Sequence, residues 1–354
     1  MPQPSSSSPD SRWMHLALDQ AKRGIGLTSP NPPVGAVVVQ NDKVIGQGYH
    51  HKAGSAHAEI EAIRDAQANH PKLLPGATLF VTLEPCSSSG RTGPCTEAIK
   101  NSGIRRVVWG ANDPNPKHAG RAREILNIAG ISVTSGVLHQ ECSEIIRPFS
   151  KWIQSGLPHV IAKVGQSLDG RITRPAGEGQ WVTSEAARAH ARRLRPRVDA
   201  ILIGAGTARA DNPRLTIREG LNAHKRQPLR VILSRSGKLP AELHLFNDEH
   251  RDRTLVLNGP SLREALLELG RREVLTVLIE GGSQILGQAF AEGLVDEVVW
   301  YIAPTLCGSA GMPALGYELP HSVALENLKV LSVGDNLCIT GNPTPTAQAP
   351  APTA

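Results

Sequence analysis

Hydrophobic and polar positions follow two different periods along this chain, and each change of period predicts a change of element. An apolar stripe at helical spacing indicates an amphipathic helix over residues 12–23. The stripe consists of Trp13, Leu16, Ala17 and Ala21. Apolar runs over 35–39 and 44–49 flank the polar segment QNDK and are typical of a β-hairpin. We then expect helices from residue 57, from near residue 95 and over 121–129, and strands over 77–83, 105–110 and 131–135.

The second half of the chain repeats the alternation with longer apolar runs. Strands are predicted over 159–164, 200–204, 230–233, 254–257, 275–280 and 297–303. Helices are predicted over 184–194, 261–270 and 283–292. Continuous Val, Ile and Leu runs between helices are typical of a mainly parallel sheet that is covered on both faces. The first half, with its hairpin, is typical instead of a three-layer α/β sandwich.

Length and composition divide the chain into two α/β domains. At roughly 150 residues per domain, 354 residues make about two domains. The Ser/Pro-rich segment 1–10 and the Pro/Ala/Thr-rich segment 343–354 are expected to be disordered. Between them we predict one domain over 11–150 and another over 151–342, because a Gly-Leu-Pro turn lies between a helical stretch and a new strand near 150–159.

Several protein classes are excluded at this stage. No apolar run approaches the roughly 18 residues that a membrane span needs, and the N-terminus lacks the pattern of a secretory signal. Five cysteines, an odd number, do not make a disulfide framework, so we expect the reducing cytoplasm. The net charge of +6 favours anionic ligands slightly and decides nothing alone.

The strongest chemical signal is a set of metal-ligating residues in the first half. His57 is followed by Glu59, and Pro85 precedes Cys86, with Cys95 further on. One imidazole and two thiolates supply the three ligands of a zinc site that keeps its fourth position open. Glu59 is then free to move protons, as in the zinc-dependent nucleobase deaminases.

The alternative to a metal site is that these residues are structural. A His-Ala-Glu sequence is usually the start of a helix, and a lone cysteine is usually a small buried apolar residue. The conjunction, with a proline before the first cysteine and a Gly-containing loop before the second, favours zinc. The remaining cysteines lack this context and are interpreted as structural: Cys142, Cys307 and Cys338.

Eight residues separate the two predicted zinc cysteines, where most nucleobase deaminases have two. With this insert, the chain resembles the bifunctional riboflavin-biosynthesis deaminase–reductases. Further motifs of that family occur in the same order along the chain. They are PNPPVG at 30–35, HAE at 57–59, DPNP at 113–116, KVGQSLDG at 163–170, GAGTARADNPRLTIR at 204–218, EGG at 280–282 and DEVVWYIAP at 296–304. The resemblance runs from about residue 12 to residue 341, nearly the whole chain.

The resemblance implies a cytidine-deaminase-like three-layer sandwich followed by a dihydrofolate-reductase-like domain, with Zn²⁺ and NADPH as cofactors. The substrate would be 2,5-diamino-6-(5-phosphoribosylamino)pyrimidin-4-one, which loses its 2-amino group as ammonia before its ribosyl group is reduced to ribityl. Five residues match family positions that bind the base, the ribose and the phosphate in the first domain: Asn31, His50, Arg91, Asp113 and Asn115.

In the second domain the resemblance also carries over residue by residue. Cofactor positions match Gly165, Trp181, Thr207, Asp211, Gly282, Ser283, Gln284, Ile285, Leu286, Gly287 and Gln288. Substrate positions match Ser167, Gly179, Arg195, Leu215, Arg218 and Glu280. A glycine turn between a strand and a helix can let backbone amides approach a phosphate, although such turns are more often structural.

Two departures from the family pattern leave alternatives open. Ser88 stands where the family usually has histidine, so a reductase with a weakened deaminase half is one alternative. Ser234 stands where an aspartate is common and could alter a core or a cofactor contact. The arginines over 188–197 make an RNA-binding base deaminase the rival from another class. We expect instead a phosphorylated pyrimidine as partner, no nucleic acid, no membrane and a homo-oligomer.

Overall fold

The computed structural model describes residues 9–88, 93–116, 119–218 and 226–345. The chain divides into two compact units between Gly156 and Leu157. A helix that ends at Ser155 passes the predicted boundary at residues 150 and 151, and Gly156, with a left-handed φ of 71°, terminates it.

Regular structure reaches into both segments that were expected to be disordered. The first helix already begins at Pro9, and the last strand continues to Pro345 because its partner strand extends equally far. The rest of segments 1–10 and 343–354 lies outside the described residues.

The first unit contains six helices and five strands within the described ranges. They are α1 Pro9–Arg23, β1 Gly35–Gln40, β2 Lys43–Tyr49, α2 Ala58–Asn69, β3 Thr78–Leu83, α3 Cys95–Ser102, β4 Arg106–Ala111, α4 Arg121–Ile128, β5 Ser132–Ser135, α5 His139–Ile145 and α6 Arg147–Ser155. The sheet order is β2-β1-β3-β4-β5, with β3, β4 and β5 parallel and the hairpin strands antiparallel. Helices α1 and α2 pack on opposite faces, which confirms the three-layer sandwich.

Helix α1 buries a different stripe from the one predicted. Met14, Ala17, Leu18 and Ala21 face the core, whereas Leu16 is exposed. The buried set follows the helical spacing i, i+3, i+4, i+7. Small residues on this stripe let the helix approach β1 so closely that a Cβ on Gly35 would lie 2.1 Å from the Ala17 carbonyl oxygen.

The second unit is built on an eight-stranded sheet. Its elements are β6 His159–Ser167, α7 Glu185–Arg192, a 3₁₀ turn Arg195–Arg197, β7 Ala200–Gly204, α8 Ala205–Asp211, β8 Leu229–Ser234, α9 His244–Asn247, a 3₁₀ turn Arg251–Arg253, β9 Thr254–Asn258, α10 Leu262–Arg271, β10 Thr276–Ile279, α11 Ser283–Ala291, β11 Glu297–Ala303, β12 Val323–Val333 and β13 Asn336–Pro345. The strand order is β12-β13-β11-β6-β10-β7-β8-β9.

Strands β6 to β11 are parallel, as predicted, and the mixed sheet agrees with the reductase fold that the resemblance implied. The antiparallel hairpin of β12 and β13 was missed. Most side chains of β12 are exposed on both faces, so the strand lacks the alternation that marks a half-buried strand. Short α8 and α9 were also missed. Among the described helices, none has the length and apolarity to cross a membrane.

Candidate functional site

Three predicted metal ligands meet in the first unit because each lies at the end of an element. His57 is the N-cap of α2, Cys86 follows β3, and Cys95 is the first residue of α3. His57 Nδ1 lies 3.2 Å from Cys95 Sγ and 3.5 Å from Cys86 Sγ. The three ligand atoms all lie within 4.8 Å of one another. Residues far apart in sequence thus form one compact donor set.

This donor set fits zinc. One imidazole nitrogen and two thiol sulfurs are the ligands that tetrahedral zinc sites use. The backbone N–H of Cys95 donates a hydrogen bond to Cys86 Sγ. Hydrogen bonding from the side chain of Cys95, and then from His57, lowers the pKa of Cys86 to about 4. A thiolate is the form of cysteine that binds a metal.

Glu59 lies beside the donor set in the first turn of α2. The side chain is buried and lines a cavity together with His57 and Cys86. Burial raises the pKa of Glu59 to about 7, against the opposing effect of His57. The only grouping of potential metal ligands among the described residues leaves Glu59 out. Its carboxyl group therefore remains available to handle protons.

The cavity has a volume of about 300 Å³ and brings the predicted substrate residues to the metal ligands. Four of them line it: Asn31, His50, Asp113 and Asn115. His50 Nδ1 donates to the carbonyl oxygen of Ala56 at 3.0 Å, so its Nε2 accepts from Asn31 Nδ2, also at 3.0 Å. Burial lowers the pKa of His50, which favours the neutral form of this imidazole.

Two further residues line the wall of this cavity, Ser88 and Glu84. Ser88, the departure from the family pattern, lines the same cavity. Glu84 also lines it, and sequence reasoning missed this residue. The available signal was an acidic residue directly before the Pro-Cys pair, buried where a loop leaves a strand. Arg91 lies outside the described residues.

The centre of the second site is a buried ion pair at the end of β10. Arg195 donates from Nε and a terminal nitrogen to the two carboxylate oxygens of Glu280, at 2.8 and 3.0 Å. Its remaining terminal nitrogen donates to the carbonyl oxygen of Thr216. Burial alone would raise the pKa of Glu280, but Arg195 and Lys163 together lower it to about 2.

Lys163 connects this pair to a second carboxylate. Its ammonium nitrogen lies 3.8 Å from Glu280, and its charge also acts on Asp211. Desolvation raises the pKa of Asp211, opposed by a hydrogen bond with Gln180 and by Lys163. Predicted substrate and cofactor residues are thus linked through a lysine that the sequence analysis noted only as part of a motif.

The predicted cofactor turn follows β10 and lies beside helix α8, which follows β7 directly. Gly281 and Gly282 have φ values of 136° and 80°, which side chains rarely adopt. A Cβ on Gly282 would lie 3.2 Å from Thr207 Oγ1, so these two predicted cofactor residues are neighbours. Because β10 and β7 pair in parallel, the glycine turn and the start of α8 lie at the carboxyl ends of adjacent strands.

The rest of the cofactor segment uses its side chains for packing. Ser283 donates to the carbonyl oxygen of Pro313, Gln284 to that of Gly316, and Gln288 to Glu292. Ile285, Leu286 and Gly287 are buried. What this segment offers a ligand is the set of first-turn backbone amides, which have no partner within a helix.

The other predicted residues of the second unit are more dispersed. Gly165 lies on β6 against Thr183, and Gly179, with a φ of 99°, is exposed next to the exposed ring of Trp181. Arg218 is exposed at the start of the undescribed segment 219–225. Ser167 is fully buried and donates to Asp169, and Leu215 belongs to the apolar core. These last two side chains have structural contacts.

The structure also shows the surroundings of the remaining cysteines, of the arginines over 188–197 and of Ser234. The remaining cysteines are buried and unpaired: Cys142, Cys307 and Cys338. Within the basic stretch, Arg188 and Arg192 pair with Glu185 on the surface of α7. Ser234 is buried and accepts a hydrogen bond from Gly237 N, so it holds the turn after β8.

Comparisons with known proteins match both units. The cytidine and deoxycytidylate deaminase zinc-binding region matches residues 7–111, and the RibD C-terminal domain matches residues 158–339. The riboflavin biosynthesis protein RibD of Bacillus amyloliquefaciens is 37% identical, and the alignment covers 94% of this chain and 95% of the relative.

Solved structures agree over the whole length. Acinetobacter baumannii RibD superposes with a TM-score of 0.87 at 34% identity, covering 95% of this chain and 99% of that structure. A diaminohydroxyphosphoribosylaminopyrimidine deaminase/5-amino-6-(5-phosphoribosylamino)uracil reductase of Thermotoga maritima superposes with a TM-score of 0.83 at 33% identity, covering 94% and 98%. The chain therefore belongs to the RibD family of riboflavin biosynthesis proteins, with a zinc-binding deaminase domain followed by a reductase domain.

Proposed function

We propose that this chain carries out two successive reactions on one small phosphorylated pyrimidine. The first is hydrolytic deamination of 2,5-diamino-6-(5-phosphoribosylamino)pyrimidin-4-one, and the second is NADPH-dependent reduction of the ribosyl group to ribityl. The observation that carries the proposal is the cavity in which Glu59 and two of the metal ligands, His57 and Cys86, meet the predicted substrate residues.

In the first unit, His57, Cys86 and Cys95 would hold the zinc ion. When bound, zinc lowers the pKa of its water ligand to about 7 and so supplies a nucleophile at neutral pH. Glu59, buried at the wall of the cavity, takes the proton released in the attack and delivers it to the leaving amine. Asn31 and Asp113 line the same space and can orient the pyrimidine by hydrogen bonds.

In the second unit, the glycine turn at Gly282 and the start of α11 would hold the pyrophosphate of NADPH. The cofactor supplies hydride when bound. Arg195 and Glu280 form a rigid bidentate pair, which fixes the position of both side chains before the substrate enters. Lys163 keeps a positive charge beside them, which suits a phosphorylated and hydroxyl-rich substrate.

An assay that follows ammonia release and NADPH oxidation separately on the diaminopyrimidine ribosyl phosphate tests the proposal. We expect ammonia first and NADPH loss second, with Glu59→Ala abolishing the first signal and sparing the second on pre-deaminated substrate. NADPH loss only on pre-deaminated substrate would favour the weakened deaminase that Ser88 suggests. If neither signal appears, the proposal is wrong, and RNA becomes the next substrate to test.

We also propose that the chain forms homo-oligomers and works in the cytoplasm. The edge strand β12 and its partner expose several apolar side chains, namely Leu328, Val330, Leu331 and Leu337, and exposed apolar edges favour pairing with another copy. All five cysteines are unpaired, which suits a reducing compartment. Light scattering on the wild type and Leu331→Lys would test the first part, and cell fractionation the second.

A further inference from the structure

Glu84 occupies the point where the loop carrying the first zinc cysteine leaves the sheet. Its backbone N–H donates to the carbonyl oxygen of Ala111, the last residue of β4, at 2.9 Å, which continues the pairing of the two strands one residue beyond the end of β3. The side chain is only 4% exposed and lines the cavity of the deaminase unit. The backbone therefore fixes a buried carboxyl group at the wall of this cavity.

The two carboxyl oxygens of Glu84 have different surroundings. Oε2 accepts a hydrogen bond from the backbone N–H of Asp113 at 3.3 Å. Oε1 is buried and has no hydrogen-bond partner among the described residues. A buried acceptor without a donor costs free energy comparable to its desolvation, and such groups in native proteins have a specific reason. One oxygen holds the loop of Asp113, and the other is left for a donor.

The residues around the cavity already use some of their own donors. The amide of Asn31 donates to His50, and His50 donates in turn to the carbonyl oxygen of Ala56. Glu59 is assigned to the proton transfers. The described residues supply no donor to Glu84 Oε1, and the diaminopyrimidine carries N–H groups on its ring and its amino substituents.

We propose that Glu84 is a further substrate-binding residue, whose Oε1 accepts a hydrogen bond from an N–H group of the pyrimidine. This proposal rests on the proposed function and adds a determinant of specificity to it. A base without an N–H at this edge leaves the buried oxygen unpaired, and sites built around such a hydrogen bond reject the analogue that lacks it.

The variant Glu84→Gln separates this role from a purely structural one. The amide oxygen can still accept from Asp113 N, so the loop keeps its anchor. The amide NH₂ group then stands where Oε1 stood and faces the substrate donor with another donor. For substrate binding we expect kcat/KM of deamination to fall by about 100-fold, the order that a lost charge-assisted hydrogen bond and an unpaired donor give.

Ser87→Ala is the matched control. Its hydroxyl is also buried and without a hydrogen-bond partner among the described residues, and it lies three positions further along the same loop, but Ser87 does not line the cavity. We expect this variant to keep kcat/KM within about twofold, as substitutions away from special contacts do. Zinc content and NADPH oxidation on pre-deaminated substrate should match the wild type in both variants.

The outcomes distinguish this proposal from the function on which it rests. An active wild type with an equally active Glu84→Gln variant overturns the role of Glu84 and leaves the proposed function standing. A wild type that releases no ammonia from the diaminopyrimidine removes the proposed function and this proposal with it. A loss in Glu84→Gln that is accompanied by lost zinc would also overturn the proposal, because the residue would then act through the metal site.

Discussion

A glutamate with a strongly shifted pKa lies at the candidate site of each unit, and the two are shifted in opposite directions. Glu59 lies beside an imidazole and two sulfurs, and burial raises its pKa to about 7. Glu280 is equally enclosed, but Arg195 and Lys163 lower its pKa to about 2. The same side chain is thus suited to proton transfer in one unit and to a permanent negative charge in the other.

The difference shows what each site requires of its fold. The first site gathers reactive side chains from three element ends around one cavity. The second relies on a preformed ion pair and on a glycine turn and a helix start at the ends of adjacent parallel strands. A site of the first kind depends on the identity of a few residues, whereas one of the second kind depends mainly on backbone geometry.

The substitution Glu59→Gln should have the largest effect, because it removes the proton-transferring group from the first unit and changes nothing at the site of the second. We expect ammonia release to fall by about 10²–10⁴-fold, the range that general acid–base catalysis contributes. NADPH oxidation on pre-deaminated substrate is the internal control and should not change. Parallel loss of both activities would show that the two units do not work as separate sites.

Glu280→Gln should have the next largest effect, this time on stability. The substitution keeps the shape of the side chain but leaves the buried Arg195 and the nearby Lys163 without their partner. Breaking a buried ion pair in this way costs about 3–5 kcal/mol. Hydrogen exchange of peptides from β10 measures the local loss. Glu268→Gln, which breaks exposed pairs on α10, should change exchange hardly at all.

The pH dependence of stability tests whether Glu280 carries a permanent negative charge in the folded protein. The folded pKa of Glu280 is about 2, below its ordinary value of 4.5, so its contribution is complete above about pH 4.5. This contribution is lost as the pH falls from about 4.5 towards 2. Across that range the carboxyl group takes up a proton in the unfolded chain, where its pKa is higher, but not yet in the folded protein. After correction for the intrinsic pH dependence of amide exchange, the protection of β10 peptides should fall as the pH falls through this window in the wild type and change less in Glu280→Gln. Equal slopes would contradict the assignment.

The fold was predictable where the period of apolar residues was clear. The hairpin at the start of the first sheet and the parallel strands of the second follow directly from apolar runs. The hairpin of β12 and β13 could not be predicted in this way, because its exposed edge strand lacks the alternation of apolar and polar residues that marks a half-buried strand. The stripe of α1 was also wrong, because Met14 and Leu18 rather than Trp13 and Leu16 are its buried large residues.

How far the site residues could be predicted from the sequence differs between the two units. His57, Cys86 and Cys95 were identifiable because metal ligation restricts residue type and spacing. Lys163 was quoted only within a motif, and its position between two carboxylates depends on how three strands pair. The position of Glu84 directly before the Pro-Cys pair was visible in the sequence, but its unpartnered oxygen was not, because that is a property of packing.

Gly282→Ala tests whether backbone geometry carries the second site. The residue has a φ of 80°, and an added Cβ would lie 3.2 Å from Thr207. We expect KM for NADPH to rise by about 10-fold, consistent with 1–3 kcal/mol of backbone strain at the turn, while deamination stays unchanged. Gly293→Ala also places an alanine at a positive φ, 61°, but with no atom near the added Cβ, and it should leave KM unaffected.

Ser88→His should produce the smallest change and tests the one departure inside the first cavity. Ser88 lines that cavity two residues after Cys86, at the position where the family resemblance implies a histidine. A serine hydroxyl can donate one hydrogen bond but cannot carry a charge, whereas an imidazole can do both. We therefore expect kcat/KM for deamination to rise by about 2- to 10-fold, the size of one added polar contact to a phosphorylated substrate. The gain should shrink at pH 8, where a histidine of ordinary pKa is neutral. A fall in kcat/KM would mean instead that the serine suits this cavity better than the family's residue does, and that the rest of the site has adjusted to it.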